Sequence, residues 1–220
     1  MIAPHLISDS ITPLHPEDSG ETALMLMQEF NLSQLPLIEG DKYVGLVTMD
    51  EIIGLKHLSH TIKSFQLPLR KPFVLNTAHI FDVMKAAVDF NIKVVPVVDE
   101  EGDYMGLISA ESCLRAFATL NSVKEPGAIV EVEIPQAEYS LSEVVRLVEE
   151  NDATITCFYS NLRLDDGMIE LTLKLNITEV GPLLAGFQRF EYEVKGVYND
   201  AEYNEELKEN YDALMRYLNV

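Results

Sequence analysis

Met27-Gln28-Glu29-Phe30-Asn31-Leu32-Ser33-Gln34-Leu35-Pro36-Leu37-Ile38 returns 60 residues later as Ala87-Val88-Asp89-Phe90-Asn91-Ile92-Lys93-Val94-Val95-Pro96-Val97-Val98. Phe-Asn and Pro recur in register. Downstream, Tyr43-Val44-Gly45-Leu46-Val47-Thr48 is answered by Tyr104-Met105-Gly106-Leu107-Ile108-Ser109. The second copy carries one more residue in the intervening turn, Asp99-Glu100-Glu101-Gly102-Asp103 against Glu39-Gly40-Asp41-Lys42. Duplication with drift leaves its insertions at turns, because loops tolerate length change. Each copy has one internal order. Apolar residues at three- and four-residue spacing (Ala23, Leu24, Met27, Phe30; then Ile80, Val83, Met84, Ala87, Phe90) predict a helix. A strand entered through proline follows, over 35–38 and 94–98, since a residue without an N–H suits a strand start or edge. A Gly/Asp turn leads to a second strand, 44–48 and 105–109, and then to a second helix, near 51–58 and 111–120. Repeats of this size are marginal alone and stable when they share apolar faces.

The chain has 220 residues and a formal net charge of -20, yet 47% of it is apolar, so it is not a disordered acidic tail. The charge argues against nucleic acid and against an anionic membrane surface, both of which are held by Lys and Arg. No apolar run approaches the ~20 residues that cross a bilayer. The start, Met1-Ile2-Ala3-Pro4-His5, lacks the charged and apolar regions of a signal peptide. Cys113 and Cys157 are far apart and in no metal-ligand spacing. A reduced, cytoplasmic protein is expected, with both thiols as small core residues.

Around Asn121-Ser122-Val123-Lys124-Glu125-Pro126-Gly127 the pattern changes, and Pro-Gly marks a boundary between residues 1–126 and 127–220. The last third reads strand, helix, strand, strand, helix, strand. Residues 128–134 alternate apolar and acidic. Ser140 and Glu143 stand at capping-box spacing before an apolar-periodic helix. Strands over 155–162 and 168–175 flank Asp165-Asp166-Gly167, a hairpin signal. A helix over 178–187 and a strand over 190–197 complete a ferredoxin-like βαββαβ order. The tail, 201–220, reads as a helix with Leu207, Tyr211, Leu214, Met215 and Leu218 on one face.

The tandem helix, Pro-entered strand, turn and Gly-hydrophobic-hydrophobic-Thr/Ser, over about residues 6–121, resembles a pair of CBS domains (a Bateman module), with repeats at about 6–60 and 68–121. The βαββαβ portion resembles an ACT domain. The order of modules resembles the AcuB (acetoin utilisation) type of CBS–CBS–ACT protein. The expected fold class is thus α/β and α+β: tandem CBS repeats, then an ACT-like domain and a C-terminal helix. The resemblance implies adenosyl ligands in clefts between repeats, read by Gly-h-h-Thr/Ser-x-x-Asp. The hydroxyl contacts phosphate, and the Asp accepts from ribose hydroxyls. Repeat one offers Thr48 and, at the ribose position, Glu51; repeat two offers Ser109 and Ser112. Both copies depart from the family pattern at that last position. Thr48 and Ser109 read equally well as N-caps of the following helices.

The connection between repeats, residues 56–72, is the one basic stretch, with Lys56, Lys63, Arg70 and Lys71, two histidines and no acid. Lys56, His57, Arg70 and Lys71 are its candidate phosphate contacts. A local patch acts within a Debye length of roughly 8 Å whatever the distant charge. His57 and His60, three apart, fit one helix face but lack further zinc ligands, so no metal is expected. In the ACT-like loop Pro135-Gln136-Ala137-Glu138-Tyr139, Tyr139 stands where that family carries glycine, which favours an oligomerisation role over amino-acid sensing. The expectation is a non-enzymatic regulatory homodimer. It requires no cofactor, binds an adenine nucleotide or S-adenosylmethionine, and acts on a protein partner. The alternative is a structural or protein-interaction module with vestigial clefts. The charge divides as 17 acids and nine bases in 1–126 against 19 and seven in 127–220, so the milder portion holds the basic island.

Overall fold

The computed structural model describes residues 1–8, 10–55, 57–65 and 67–199. The chain forms two units, Met1–Phe117 and the portion from Ala118 onward. The expected tail helix over 201–220 lies outside the described residues.

In the first unit the two repeats have matching parts. Helix α1 (Gly20–Glu29) starts at Ser19, whose hydroxyl accepts from the Thr22 N–H, and α3 (Ile80–Asp89) starts at His79 in a capping box with Asp82. Both helices end at a phenylalanine followed by an asparagine in the left-handed region, Asn31 at φ 52° and Asn91 at φ 51°. That conformation stops a helix, and asparagine is among the few non-glycine residues that adopt it readily. The recurring Phe-Asn is therefore a helix stop. Strands β1 (Gln34–Glu39) and β2 (Lys42–Thr48) pair antiparallel. Strand β3 (Val74–Leu75) runs parallel to β4 (Val94–Val98), which pairs antiparallel with β5 (Tyr104–Ser109). Helices α2 (Met49–Ile53) and α4 (Ala110–Leu120) follow the hairpins.

Each repeat is completed by chain that precedes the other. Residues 1–8 pack on repeat two: the Ala3 N–H donates to the Ala78 carbonyl, and Ser8 bridges Leu107. The connection does the same for repeat one: Ile62 donates to the Asp18 carbonyl, and Arg70 bridges Leu46. Ala3 and Leu6 are buried with Val83 and Ile108 in one core, while Ile62 joins Met27, Leu35 and Val47 in the other. A fully buried aliphatic side chain contributes about 1.5–3 kcal/mol, so even these short attachments matter. They also explain the repeated glycines. A Cβ on Gly45 would stand 2.7 Å from Leu69 Cβ and 2.8 Å from the Arg70 carbonyl oxygen; on Gly106 it would stand 2.5 Å from Ile7 Cγ2.

The second unit has strand order β7-β8-β6-β9 with every neighbouring pair antiparallel, the ferredoxin-like arrangement. Its elements are β6 (Ile129–Pro135), α5 (Leu141–Glu149), β7 (Ile155–Arg163), β8 (Met168–Leu175), α6 (Gly181–Arg189) and β9 (Glu193–Tyr198). Val130, Val132 and Ile134 of β6 and Leu171, Leu173 and Leu175 of β8 face one core. On the opposite face Glu133 lies beneath Arg163 and Lys195, at 2.6 and 2.8 Å.

Several local expectations need correction. The helix expected over 178–187 begins at Gly181, with Pro182 in its first turn, where a missing N–H costs nothing. The strand expected from 190 starts at Glu193, because Phe190 closes α6 and Glu191 sits at φ 59°. No capping box forms at Ser140: Glu143 instead accepts from the Tyr192 hydroxyl at 3.2 Å and pairs with Arg146 at 3.6 Å. Helix α2 ends at Ile53, so His57 and His60 share a turn rather than a helix face. Cys113 is buried, but Cys157 is only half-buried, on the edge strand β7, where its thiol donates to Asn121 at 2.8 Å.

Candidate functional site

A cavity of about 240 Å³ opens where repeat one meets the end of α3. Its polar lining is Gln34, Thr48, Glu51 and Arg70, and its apolar lining is Leu46, Pro72, Phe90 and Ile92. The sequence places each. Gln34 and Thr48 are register partners across the β1–β2 ladder, so their side chains share a face. Leu46 lies two residues before Thr48, on the same face. Phe90 and Ile92 flank the Asn91 helix stop, which turns them from α3 toward β4. Arg70 is brought in by the Leu46 N–H donating to its carbonyl at 2.9 Å. Two residues on, the Tyr43 hydroxyl donates to the Pro72 carbonyl at 3.0 Å, and burial pushes that phenol well above its ordinary pKa.

Thr48 and Glu51 form a complete capping box. The Glu51 N–H donates to Thr48 Oγ1 at 3.2 Å, and Glu51 Oε2 accepts from the Thr48 N–H and hydroxyl, both at 2.8 Å. Thr48 is thus an N-cap and a cavity wall at once. The Glu51 carboxylate spends one oxygen on the box and leaves Oε1 for another donor. Arg70 is exposed, and among the described residues no carboxylate pairs with its guanidinium. Gln34 Oε1 is buried and has no hydrogen-bond partner among the described residues. Such an atom costs ~1–3 kcal/mol unless something supplies a donor.

Of the residues expected from sequence, the structure brings Thr48, Glu51 and Arg70 together. Ser109 and Ser112 occupy the equivalent place in repeat two, where Ser109 accepts from the Ser112 N–H at 3.0 Å and the hydroxyls meet at 3.0 Å. There the position matching Arg70 is Ser8, which bridges Leu107 as Arg70 bridges Leu46. The position matching Gln34 is Val94. That half carries neither the cation nor the carboxylate. His57 and Lys71 do not line the cavity; the His57 ring stacks on His60, with centroids 5.2 Å apart. Lys56 lies outside the described residues. Gln34, Leu46, Pro72, Phe90 and Ile92 were not foreseen. Register opposite Thr48 was the available signal for Gln34.

Among the described residues no group of three or more His, Cys, Asp and Glu side chains is placed to hold a metal. No described helix is long and apolar enough to cross a membrane. In the second unit Tyr139 packs against the core, in the loop where an amino-acid site was considered.

The fold of the first unit thus defines a duplicated α/β module with a lined cleft. Residues 5–57 and 64–119 match the CBS domain family model, and this region is a tandem pair of CBS domains. An inosine-5′-monophosphate dehydrogenase of Korarchaeum cryptofilum is 27% identical over 185 residues, which are 82% of this chain and 37% of that protein. An uncharacterised protein of Methanocaldococcus jannaschii is 25% identical over 112 residues, 50% of this chain and 42% of that one. The chain therefore spans less than half the length of these two curated relatives. A solved CBS domain pair/ACT domain protein from Thermotoga maritima is similar with a TM-score of 0.49 and 18% identity, over 54% of this chain and 98% of that chain.

Proposed function

We propose that this chain is a non-enzymatic regulatory sensor, with residues 1–126 binding an adenine nucleotide or related adenosyl compound in the repeat-one cleft. The observation that carries the reading is the Arg70 guanidinium. In a chain of net charge -20 it has no carboxylate partner among the described residues and borders the same cavity as Thr48. An unpaired fork of N–H donors suits phosphate. Glu51 Oε1 suits a ribose hydroxyl, and Leu46, Phe90 and Ile92 suit a base. The repeat-two position, with Ser8, Val94, Ser109 and Ser112, is vestigial under this reading, so one cleft per chain is occupied.

The module acts as a cytoplasmic homodimer. Phe81 and Val88 of α3 and Leu114 of α4 are 62%, 79% and 68% exposed, and they support a self-association face. Residues 127–220 are an ACT-like oligomerisation module of the AcuB type, which passes the ligand-dependent state to a protein partner. A ligand shifts such an equilibrium only by its differential affinity for the two states.

Thermal melting with AMP, ADP, ATP, S-adenosylmethionine and NAD tests the proposal. At a hundred times its dissociation constant a ligand adds ~2.7 kcal/mol. A rise of several degrees that vanishes in Arg70→Ala supports it. A folded protein with no response to any of the five refutes it, and leaves the interaction-module reading.

A further inference from the structure

Gln34 is the feature of the cleft that phosphate and ribose recognition leave unused. Its Oε1 is buried and has no hydrogen-bond donor among the described residues, although the residue lines the cavity. Phosphate oxygens are acceptors and cannot meet it. The donors of an adenosyl ligand are the ribose hydroxyls and the exocyclic amine of the base. Glu51 Oε1 already offers a charged acceptor to the hydroxyls, which leaves the amine. A glutamine amide is planar and presents an acceptor beside a donor, the pattern that reads the N6 amine and an adjacent ring nitrogen of adenine. Val94 at the matching position of repeat two has no such group.

Resting on the adenosyl reading above, we infer that Gln34 is a specificity-determining residue that requires a 6-amino group on the purine. With an analogue lacking that amine, Oε1 stays as unpaired as it is in the free protein, so discrimination comes from the hydrogen bond that only the amine-bearing ligand supplies to it. The side chain does not touch the reading of phosphate or sugar, so those contacts continue in its absence.

The test compares AMP with purine riboside 5′-monophosphate, which differs only by the missing amine, using titration calorimetry on the full chain. The expected result is roughly tenfold tighter binding of AMP, the size of one unsatisfied buried polar group. In Gln34→Leu the two ligands should bind within about twofold of each other. The unliganded melting temperature should stay level or rise, because an unpaired polar atom has gone. Gln34→Met, closer in shape, guards against a packing artefact and should behave likewise. Equal binding of the two ligands by the unaltered protein overturns the inference, and so does a preference that survives in both variants. If the unaltered protein is folded and binds neither ligand, the adenosyl reading falls, and this one with it.

Discussion

Thr48→Ala and Ser109→Ala, compared side by side, separate the structural work of these hydroxyls from ligand recognition. Thr48→Ala removes the acceptor for the Glu51 N–H at 3.2 Å and the donor to Glu51 Oε2 at 2.8 Å, but keeps the backbone half of the box. Ser109→Ala removes the acceptor for the Ser112 N–H and the contact with the Ser112 hydroxyl, both at 3.0 Å. Each loses one N-cap, which costs about 1 kcal/mol. For a unit of this size the melting temperature falls by roughly 3–5 °C in both variants. Binding should divide them. The Thr48 hydroxyl hydrogen already goes to Glu51, so contact with phosphate exchanges one charged acceptor for another and the net gain is small. We expect AMP affinity to fall about fivefold in Thr48→Ala, equivalent to ~1 kcal/mol, and to change less than about twofold in Ser109→Ala. Calorimetric melting without ligand and isothermal titration with AMP give the two numbers. Equal affinity losses would falsify the assignment of the ligand to repeat one. Equal stability losses with no change in either affinity would leave both residues as caps alone.

Gly45→Ala should cost about 1–3 kcal/mol by overpacking against Leu69 and the Arg70 carbonyl, and should weaken AMP binding beyond that by displacing Arg70; denaturant melts and titration check both, and an unchanged protein would contradict the close crossing. Val88→Glu with Leu114→Glu should convert a dimer to a monomer in light scattering without loss of helical signal; a dimer that persists would remove that face from the interface. Glu133 supplies a pH dependence. The Lys195 hydrogen bond first, and then the Arg163 charge, hold its carboxyl below the usual carboxylate range. A folded-state pKa below the unfolded value gives stability that is fully present above the unfolded value of about 4.3 and is lost as pH falls through the folded one. Glu133→Gln should therefore flatten the acid limb of a stability–pH curve below about pH 4; an unaltered limb would show that the ion pairs contribute nothing.

The duplication was legible because its signals are local. Asn31 and Asn91 stop helices, Gly45 and Gly106 admit a crossing strand, and Thr48 and Ser109 open the next helix. Each of these roles admits one residue type or a close equivalent, so Asn and Gly survive as identities in register and the helix-opening hydroxyl survives as Thr or Ser. The cleft was only half legible for the opposite reason. Phe90 and Ile92 reach it from repeat two, and nothing in their own neighbourhood distinguishes them from Phe30 and Leu32. In the basic connection, Arg70, Lys71 and His57 look equivalent as charges. Pairing of Arg70 with Leu46 decides between them, and that pairing lies 24 residues away in the chain. The capping boxes show the limit from the other side: Ser140 and Glu143 have the right spacing, yet Tyr192 and Arg146 take Glu143 away.

The exchange of leading segments between the two CBS repeats makes them a clasp. Opening repeat two frees residues 1–8 as well as its own strands, and opening repeat one frees the connection that carries Arg70. Neither half can therefore be cut out as an autonomous fragment without taking a piece of its neighbour's core, and the pair should melt as one. The same linkage gives a bound molecule leverage. A ligand that grips Arg70 as proposed would also hold the connection leading into β3 of repeat two, and on that proposal an event in a single cleft is felt by both halves of the clasp.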